Sequence, residues 1–383
     1  MKYLKYYIST FTLILSIYII CLGPYYPTGF FIIFSLFIIL GDYLLPEDVK
    51  IYKYSYPTLL YLPIYINLPI LIFLITTVVA IIGNNSSGWL LSVYSFLKVD
   101  LLFLQTSITT IDKIFLIALV SLFIGIMATV PGHELVHRKG SKLNLFIGNW
   151  LLALSWDCAF AIEHVHGHHK NVCLPNDPAS AKRGENIYGF ILRATLNEHR
   201  DAWNIQINRN KKSRNPSSLI NNDMVIGYLR SLFIVLISFL IGGTMGMVTF
   251  LICALIAKAL LEVINYTEHY GLVRERGKPV FHRHSWNSNS VLSSLYLFNV
   301  TRHSSHHQKV NLKYWELDPY QDAPMMPQGY LSMLFLSLLI PPLFHKIMAK
   351  KLLDWDKVYA TVGEKALGKI QNSKSGVSSL MRS

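Results

Sequence analysis

Residues 114–138 read IFLIALVSLFIGIMATVPGHELVHR. The first part, 114–131, carries no charge and approaches the roughly 20 apolar residues that a helix needs to cross a bilayer. Directly behind it stand His133 and His137, whose spacing of four puts both rings on one helix face. A membrane span that ends in paired imidazoles sets the reading of everything around it. The chain is expected to be an all-α membrane protein with metal-ligating side chains at the bilayer boundary.

Working outward, the same span length recurs. Stretches 6–23, 28–45, 58–83, 114–131, 224–241 and 244–263 all qualify, which predicts a bundle of six transmembrane helices in three hairpins. The loop Gly23-Pro24-Tyr25-Tyr26-Pro27 after the first stretch reads as a tight turn, so that stretch is expected to be a retained helix. The composition agrees: 52% of the 383 residues are hydrophobic and 15% charged, against about 25% charged in a soluble domain. Such a chain is neither disordered nor a soluble nucleic-acid binder. The four cysteines form no CxxC, which excludes a disulfide scaffold or a cysteine-based zinc or iron site.

The net charge of +13 is unevenly placed. Lys2, Lys5, Lys50, Lys53, the twelve Lys/Arg between Arg138 and Arg214 (Arg209, Lys211 and Lys212 among them) and the C-terminal Lys346, Lys350 and Lys351 fall on one side of the predicted spans; Lys98 and Lys113 fall on the other. Positive loops face the cytoplasm, so both termini and the basic segments are expected there. Arg230, near the start of the fifth span, can snorkel to the boundary. Residues 143–162, amphipathic with Trp150 and Asp157, read as a helix on or just inside the cytoplasmic boundary, and 329–348, broken by Pro341-Pro342, as a monotopic interfacial helix. The expected organisation is one domain, 1–365, with segments 132–222 and 264–350 on the cytoplasmic side. The Ser/Lys/Gly-rich residues 366–383 are expected to be a disordered tail.

The fourteen histidines are clustered. His164, His168 and His169 form H-x3-HH, His303, His306 and His307 form H-x2-HH, and His269 stands in Asn265-Tyr-Thr-Glu-His-Tyr-Gly-Leu272. With His133 and His137 these make nine, each at or near the predicted boundary. H-E-x-x-H alone suggests a zinc protease, but the further clusters argue against one. Imidazole suits zinc, copper, iron and nickel, and one metal takes four to six ligands, so nine histidines imply two metals. Spacing alone does not separate iron from zinc. His166, His199, His282, His284 and His345 are expected to lie outside the ligand set, with His282 and His284 as candidates for supporting contacts.

Metal-bound imidazoles commonly donate their second N–H to a carboxylate or carbonyl. Glu134, Glu163, Glu268 and Asp177 are the nearest candidates in sequence. Glu268 at the end of a span is the most costly to place without a partner, and with Asp177 it is the favoured supporting residue.

The segments His133-Glu-Leu-Val-His137, Glu163-His-Val-His-Gly-His-His169, Asn265 to Leu272, His284-Ser-Trp-Asn-Ser-Asn289 and Arg302-His-Ser-Ser-His-His307 together resemble the integral-membrane alkane 1-monooxygenases of the membrane desaturase/hydroxylase superfamily. Their order, spacing and flanking spans agree over most of residues 1–350. The resemblance implies a non-haem di-iron centre of two Fe ions held by His133, His137, His164, His168, His169, His269, His303, His306 and His307. It implies O2-dependent terminal hydroxylation of an alkane in a bacterial cytoplasmic membrane, with electrons from rubredoxin and rubredoxin reductase. No paired CxxC for a fused rubredoxin is present, nor any nucleotide or haem motif, so electrons are expected from a separate protein. A basic surface would suit an acidic donor.

The sequence departs from that family where Val300-Thr301 precede Arg302 and where Ser305 stands in place of the usual Asp. Neither departure removes a ligand. Related enzymes that oxidise methyl groups on aromatic rings share these segments, as do fatty-acyl desaturases, and a histidine-rich metal transporter or sensor is the reading from a different class. Phe30, Phe31, Phe34 and Phe37 of the second span are candidates to line a substrate passage, Phe34 and Phe37 in particular.

Overall fold

The computed structural model describes residues 2–211 and 222–382, and these are all-helical apart from two isolated β-bridges. Lys212 and Arg214 of the basic segment, and Ser383 of the tail, lie outside the described residues. Helices α1 (Ile8–Ile20) and α2 (Tyr26–Leu44) form the first hairpin, followed by α3 (Tyr61–Ile82). The next two, α4 (Gly88–Phe96) and α5 (Leu101–Ser107), are bent against each other by 106°. Then comes α6, which runs continuously from Thr110 to Val136 and carries the opening segment. Its start is fixed by a capping box in which Thr109 accepts from the Asp112 N–H and Asp112 accepts from the Thr109 N–H. Asp112 also accepts from Thr28 Oγ1 at 2.6 Å, which pins α2 to α6.

Pro131 sits inside α6, where it lacks an N–H and crowds the carbonyl four residues back. The helix absorbs this by widening into a π turn at Gly125–Thr129, directly upstream.

After α7 (Lys142–Ala153), the short helix α8 over 160–171 and α9 (Ile187–Lys211), the chain enters α10 (Asp223–His269). This last helix is broken at Gly243, with φ 62° and ψ −158°, a conformation essentially reserved for glycine. Its two arms fold back on each other. A Cβ on Gly246 would stand 2.9 Å from the Ser238 carbonyl oxygen, and neighbouring Asp157 and Cys158 touch Lys258 on one arm and Gly227 on the other. The hairpin tip fits against Gly83, which is why three glycines meet there: a Cβ on Gly83 would lie 2.5 Å from the Gly242 Cα. The expected stretches 224–241 and 244–263 correspond to these arms.

Four helices, Tyr26–Leu44, Pro57–Ile82, Thr110–Val136 and Asp223–His269, are long and apolar enough to cross a membrane, and the α4–α5 pair is a fifth candidate. The first expected span is shorter, an apolar run over Leu4–Ile20. Leu15, Ile33, Leu36, Leu40, Leu236 and Leu255 are exposed on the outer faces of these helices. So wide an apolar exterior belongs against lipid.

The remaining helices cap one end of the bundle: α11 (Val291–Tyr296), α12 (His303–Gln308), α13 (Tyr330–Leu339), α14 (Pro341–Val358), α15 (Val362–Lys374) and α16 (Ser378–Met381). The stretch 329–348 is broken at Ile340, beside Pro341-Pro342, and 143–162, expected as one amphipathic helix, is interrupted at Trp156 (φ 57°).

Two expectations are corrected. The tail is not disordered: α15 begins with a Thr361–Glu364 capping box, and Glu364, Gly368 and Asn372 on its inner face are buried. Arg183 holds it there, donating to Asn372 Oδ1 (2.9 Å) and Asp356, while the Arg183 N–H donates to Gln371. Phe37 faces outward and is 46% exposed, so it lines no interior passage. Phe34 is buried edge-on against Phe123 and Tyr296, as core.

One buried charge cluster lies along α10. Lys258 Nζ is 2.9 Å from Asp157, 2.7 Å from Glu198 and 2.5 Å from Glu262. Asn265 Nδ2 then donates to Glu198 and Glu262. One ammonium thus ties together the 154–159 turn, α9 and the second arm of α10.

Candidate metal centre

The nine histidines of the sequence clusters converge at the capped end of the bundle, in two groups. His133, His137, His164, His169 and His306 form one; His168, His269, His303 and His307 form the other; within each group the ligating nitrogens lie within 4.8 Å of one another. Neither group includes a carboxylate or thiolate among the described residues. His133 and His137 come from the end of α6, His164, His168 and His169 from α8, His269 from the end of α10, and His303, His306 and His307 from α12.

The partition does not follow the spacing-of-four rule. His164–His168 is a π turn, and its wider pitch brings residues five apart together. His164 Nε2 therefore lies 3.1 Å from His169 Nε2, in one group. His168, between them in sequence, faces His307 at 3.3 Å in the other. In α12 the pair His303 and His307 keeps ordinary spacing, 2.8 Å apart at Nε2, while His306 turns to His133 at 3.0 Å and His169 at 3.2 Å.

These geometries test whether the residues fit a metal. Six pairs of Nε2 atoms stand 2.8–3.3 Å apart. Where the other ring nitrogen carries the proton, two such lone pairs face each other and repel; a cation shared between them turns that repulsion into coordination. Burial, followed by the neighbouring imidazoles, holds His164, His169, His303, His306 and His307 well below the usual histidine range. The rings are thus neutral, the state that ligates. All-nitrogen pockets of five and four donors suit iron, zinc, copper or nickel better than hard cations.

Second nitrogens are held selectively. The Nδ1 of His168 lies 3.1 Å from both oxygens of Asp177, which also accepts from Ser180 Oγ at 2.6 Å. Burial raises the Asp177 carboxyl, but His168 and Ser180 outweigh it and keep the group below the ordinary carboxylate range. His269 Nδ1 donates to the His284 carbonyl at 2.9 Å. Both contacts leave Nε2 as a bare lone pair aimed at the second group.

The other candidates are placed differently. Glu268 reaches His303 at 3.3 Å through Nε2, the nitrogen that also faces His269 and His307. Glu134 pairs with Arg138 instead of a ligand ring. Glu163 is buried with Oε1 unpartnered, and burial, then Asp177 and Asp201, push its carboxyl well above the usual range. His166 sits beside Lys139 at 3.3 Å, His199 on the Thr195 carbonyl and His345 beside Tyr266, all outside both groups. Ser305 Oγ accepts from the Asp318 N–H at 2.9 Å, a contact that a carboxylate would also make.

Sequence reasoning missed the surroundings. A small cavity of about 20 Å3 touches His133, His164 and His303 and is walled by Val130, Phe160, Leu261, Ile264 and Val300, with Asn265 and Glu268 at its edge. No sequence signal marks these apolar residues, since every span is apolar. On the opposite side a cleft reaches the partly exposed His137 and His169. Lys139 stands on its rim, where burial, then the charges of Arg209 and Lys170, hold its ammonium below the usual lysine range.

Residues 113–337 match the family model described as fatty acid desaturase. Over 232 residues the chain is 40% identical to alkane 1-monooxygenase 1 of Pseudomonas aeruginosa, covering 59% of this chain and 60% of that protein. It is 36% identical over 229 residues to alkane 1-monooxygenase 2 of Alcanivorax borkumensis, covering 58% and 59%. It is also 36% identical over 251 residues to the xylene/toluene monooxygenase hydroxylase component of Pseudomonas putida, covering 65% and 67%. The chain thus aligns with about 60% of the length of the two alkane 1-monooxygenases.

Proposed function

The chain belongs to the fatty acid desaturase family, and on that premise we propose that it is a membrane di-iron monooxygenase that hydroxylates the terminal carbon of n-alkanes or similar lipophilic alkyl chains. The observation that carries this reading is the division of nine buried or half-buried imidazoles into pockets of five and four beside a small apolar cavity. The alkane 1-monooxygenase relatives support the substrate class.

When bound, two irons would supply O2 activation by two-electron chemistry. His133, His137, His164, His169 and His306 would hold one, and His168, His269, His303 and His307 the other. Asp177 fixes the His168 tautomer, and the His284 carbonyl does the same for His269. Val130, Phe160, Leu261, Ile264 and Val300 give the small cavity an apolar lining that favours the end of an alkyl chain over water, which would find few polar partners there. A chain held end-on there is selected by position and not by C–H bond strength.

In this reading the protein crosses the cytoplasmic membrane six times, α1 and both arms of α10 included, with termini and histidines on the basic, cytoplasmic side. The cleft over His137 and His169, rimmed by Lys139 with Lys170 and Arg209 nearby, suits an acidic electron donor of the rubredoxin type.

The test is oxidation of an n-alkane series and of xylenes by the purified, iron-loaded protein supplied with reduced rubredoxin, or by whole cells, beside His307→Ala. Primary alcohols from alkanes, lost in the variant, are expected. Benzylic alcohols alone would move the substrate to alkyl-aromatics, the reading the xylene/toluene relative favours. An alkene product would place the chain among desaturases, and zinc with no oxygen-dependent turnover would sink the hydroxylase reading.

A further inference from the structure

The segment 281–287 carries no metal-ligand candidate, yet it joins two of the three helices that supply the four-histidine pocket, α10 and α12. On one side the His284 carbonyl accepts from His269 Nδ1 at 2.9 Å and from Cys173 Sγ at 3.2 Å, and the Trp286 N–H donates to the Glu268 carbonyl at 2.9 Å. On the other side Ser304 of α12 donates through Oγ to the His282 carbonyl at 2.6 Å, and its N–H donates to Asn287 Oδ1 at 2.8 Å. The position of this segment therefore sets how the end of α10 meets α12.

What anchors the segment from outside is α15. His284 is fully buried, and its Nδ1 accepts from the Phe281 N–H at 3.0 Å. The ring proton is thereby placed on Nε2, which donates to Glu364 Oε1 at 2.8 Å. Glu364 is itself 1% exposed and fully engaged: it accepts from Arg283 Nε at 2.9 Å, from Arg283 Nη2 at 3.1 Å and from the Thr361 N–H at 2.9 Å. The Glu364 carboxylate is thus hydrogen-bonded to the His284 ring, and the carbonyl of that same residue to His269 Nδ1, in one line that ends at His269 Nε2.

We propose that Glu364 is a positioning residue for the metal centre: through its bonds to His284 and Arg283 it holds the His284 carbonyl on His269 Nδ1, fixing the tautomer and ring angle with which His269 enters the four-histidine pocket. The proposal rests on the di-iron reading and assigns the C-terminal helix, which lies beyond the family-matched residues 113–337, a part in building the centre. His168 receives the same service directly from Asp177. His303 and His307 leave Nδ1 without a partner, so the pocket's orientation depends on these two lines.

The experiment compares wild type, Glu364→Ala, Glu364→Gln and Thr361→Ala, all full-length in detergent, by iron content, Mössbauer spectrum and thermal unfolding. In Glu364→Ala, iron is expected to fall from about two to about one per chain. One set of iron resonances is lost and the other kept. Glu364→Gln, which keeps an acceptor for His284 Nε2, is expected to restore at least half of the lost iron. Thr361→Ala removes the side-chain cap but not the His284 contact, and should keep both irons. Two irons with an unchanged spectrum in Glu364→Ala would overturn the proposal. So would an equal loss of both irons in Glu364→Ala and Thr361→Ala with a parallel drop in unfolding temperature, because that pattern belongs to helix docking alone. A wild-type protein without iron would instead overturn the di-iron reading on which the proposal rests.

Discussion

His164 and His169 are five residues apart, yet their Nε2 atoms lie 3.1 Å apart in the same pocket, while His168 turns to the other. One π turn thus lets a single short helix feed two metal pockets. Its opening depends on Gly167, where a Cβ would fall 2.2 Å from Glu163 Oε1 and 3.0 Å from Glu163 Cδ. Glu163 is buried and has little room to retreat. Gly167→Ala is therefore expected to be destabilising by about 1–3 kcal/mol and to lower iron in the five-histidine pocket. Iron per chain and thermal unfolding read both effects; an unchanged iron content would show that the turn tolerates a side chain.

Asp177→Asn keeps an acceptor near His168 Nδ1 but removes the charge that favours its proton there. Loss of such a partner typically costs about 10–100-fold in metal affinity or activity. The expected outcome is faster release of one iron to a chelator, with Asp177→Ala worse than Asp177→Asn. Equal release rates in both variants and wild type would remove Asp177 from the centre.

Leu261 walls the cavity beside His133, His164 and His303. Leu261→Ala opens space where only a chain end now fits. Products from n-alkanes are expected to shift toward subterminal alcohols, measured as the ratio of 2- to 1-alcohols by gas chromatography. An unchanged ratio together with an unchanged rate would place the reacting carbon elsewhere.

The Glu364 carboxyl has a definite sign in acid. Burial raises it, but His284, Arg283 and the Thr361 N–H outweigh burial and bring it down to about 2, against about 4.3 for a free glutamate. A lowered carboxyl stabilises the folded state fully above its unfolded value, and that contribution is lost as pH falls toward 2. Helix Val362–Lys374 should stay protected from hydrogen exchange at pH 5–7 and become labile between about pH 4 and 2. Lability that begins above pH 5 would assign the docking to other groups.

The nine histidines were legible as candidates because all but His269 are clustered in sequence, although each adjacent pair, His168-His169 and His306-His307, is divided between the two groups. Their sorting into five and four was not, because α-helical spacing joins His164 to His168 and only the π turn separates them. The second arm of α10 was legible from apolar length, with Gly242-Gly243 as its punctuation. The first expected span, 6–23, was displaced toward the C-terminus, as its apolar run covers Leu4–Ile20. The C-terminal helix was hidden by its own composition: Ser, Lys and Gly suggest disorder, although Thr361-Val-Gly-Glu364 is a capping-box pattern. Its docking depends on Arg183 and His284, about 190 and 80 residues away, and no local pattern reports such partners.

Lys258 also bears on how the second arm of α10 is held. A lone lysine near the middle of an apolar helix raises the free energy of insertion by roughly 2.5–3.5 kcal/mol. Its three carboxylate partners come from the Asp157 turn, from Glu198 of α9 and from Glu262 one turn on. Two of these three are synthesised before Lys258 and belong to segments outside the spans. The second arm of α10 is therefore fully charge-compensated only where those segments are packed against it. The same arm ends in His269, so one helix carries both the ammonium that gathers these segments and a member of the four-histidine group.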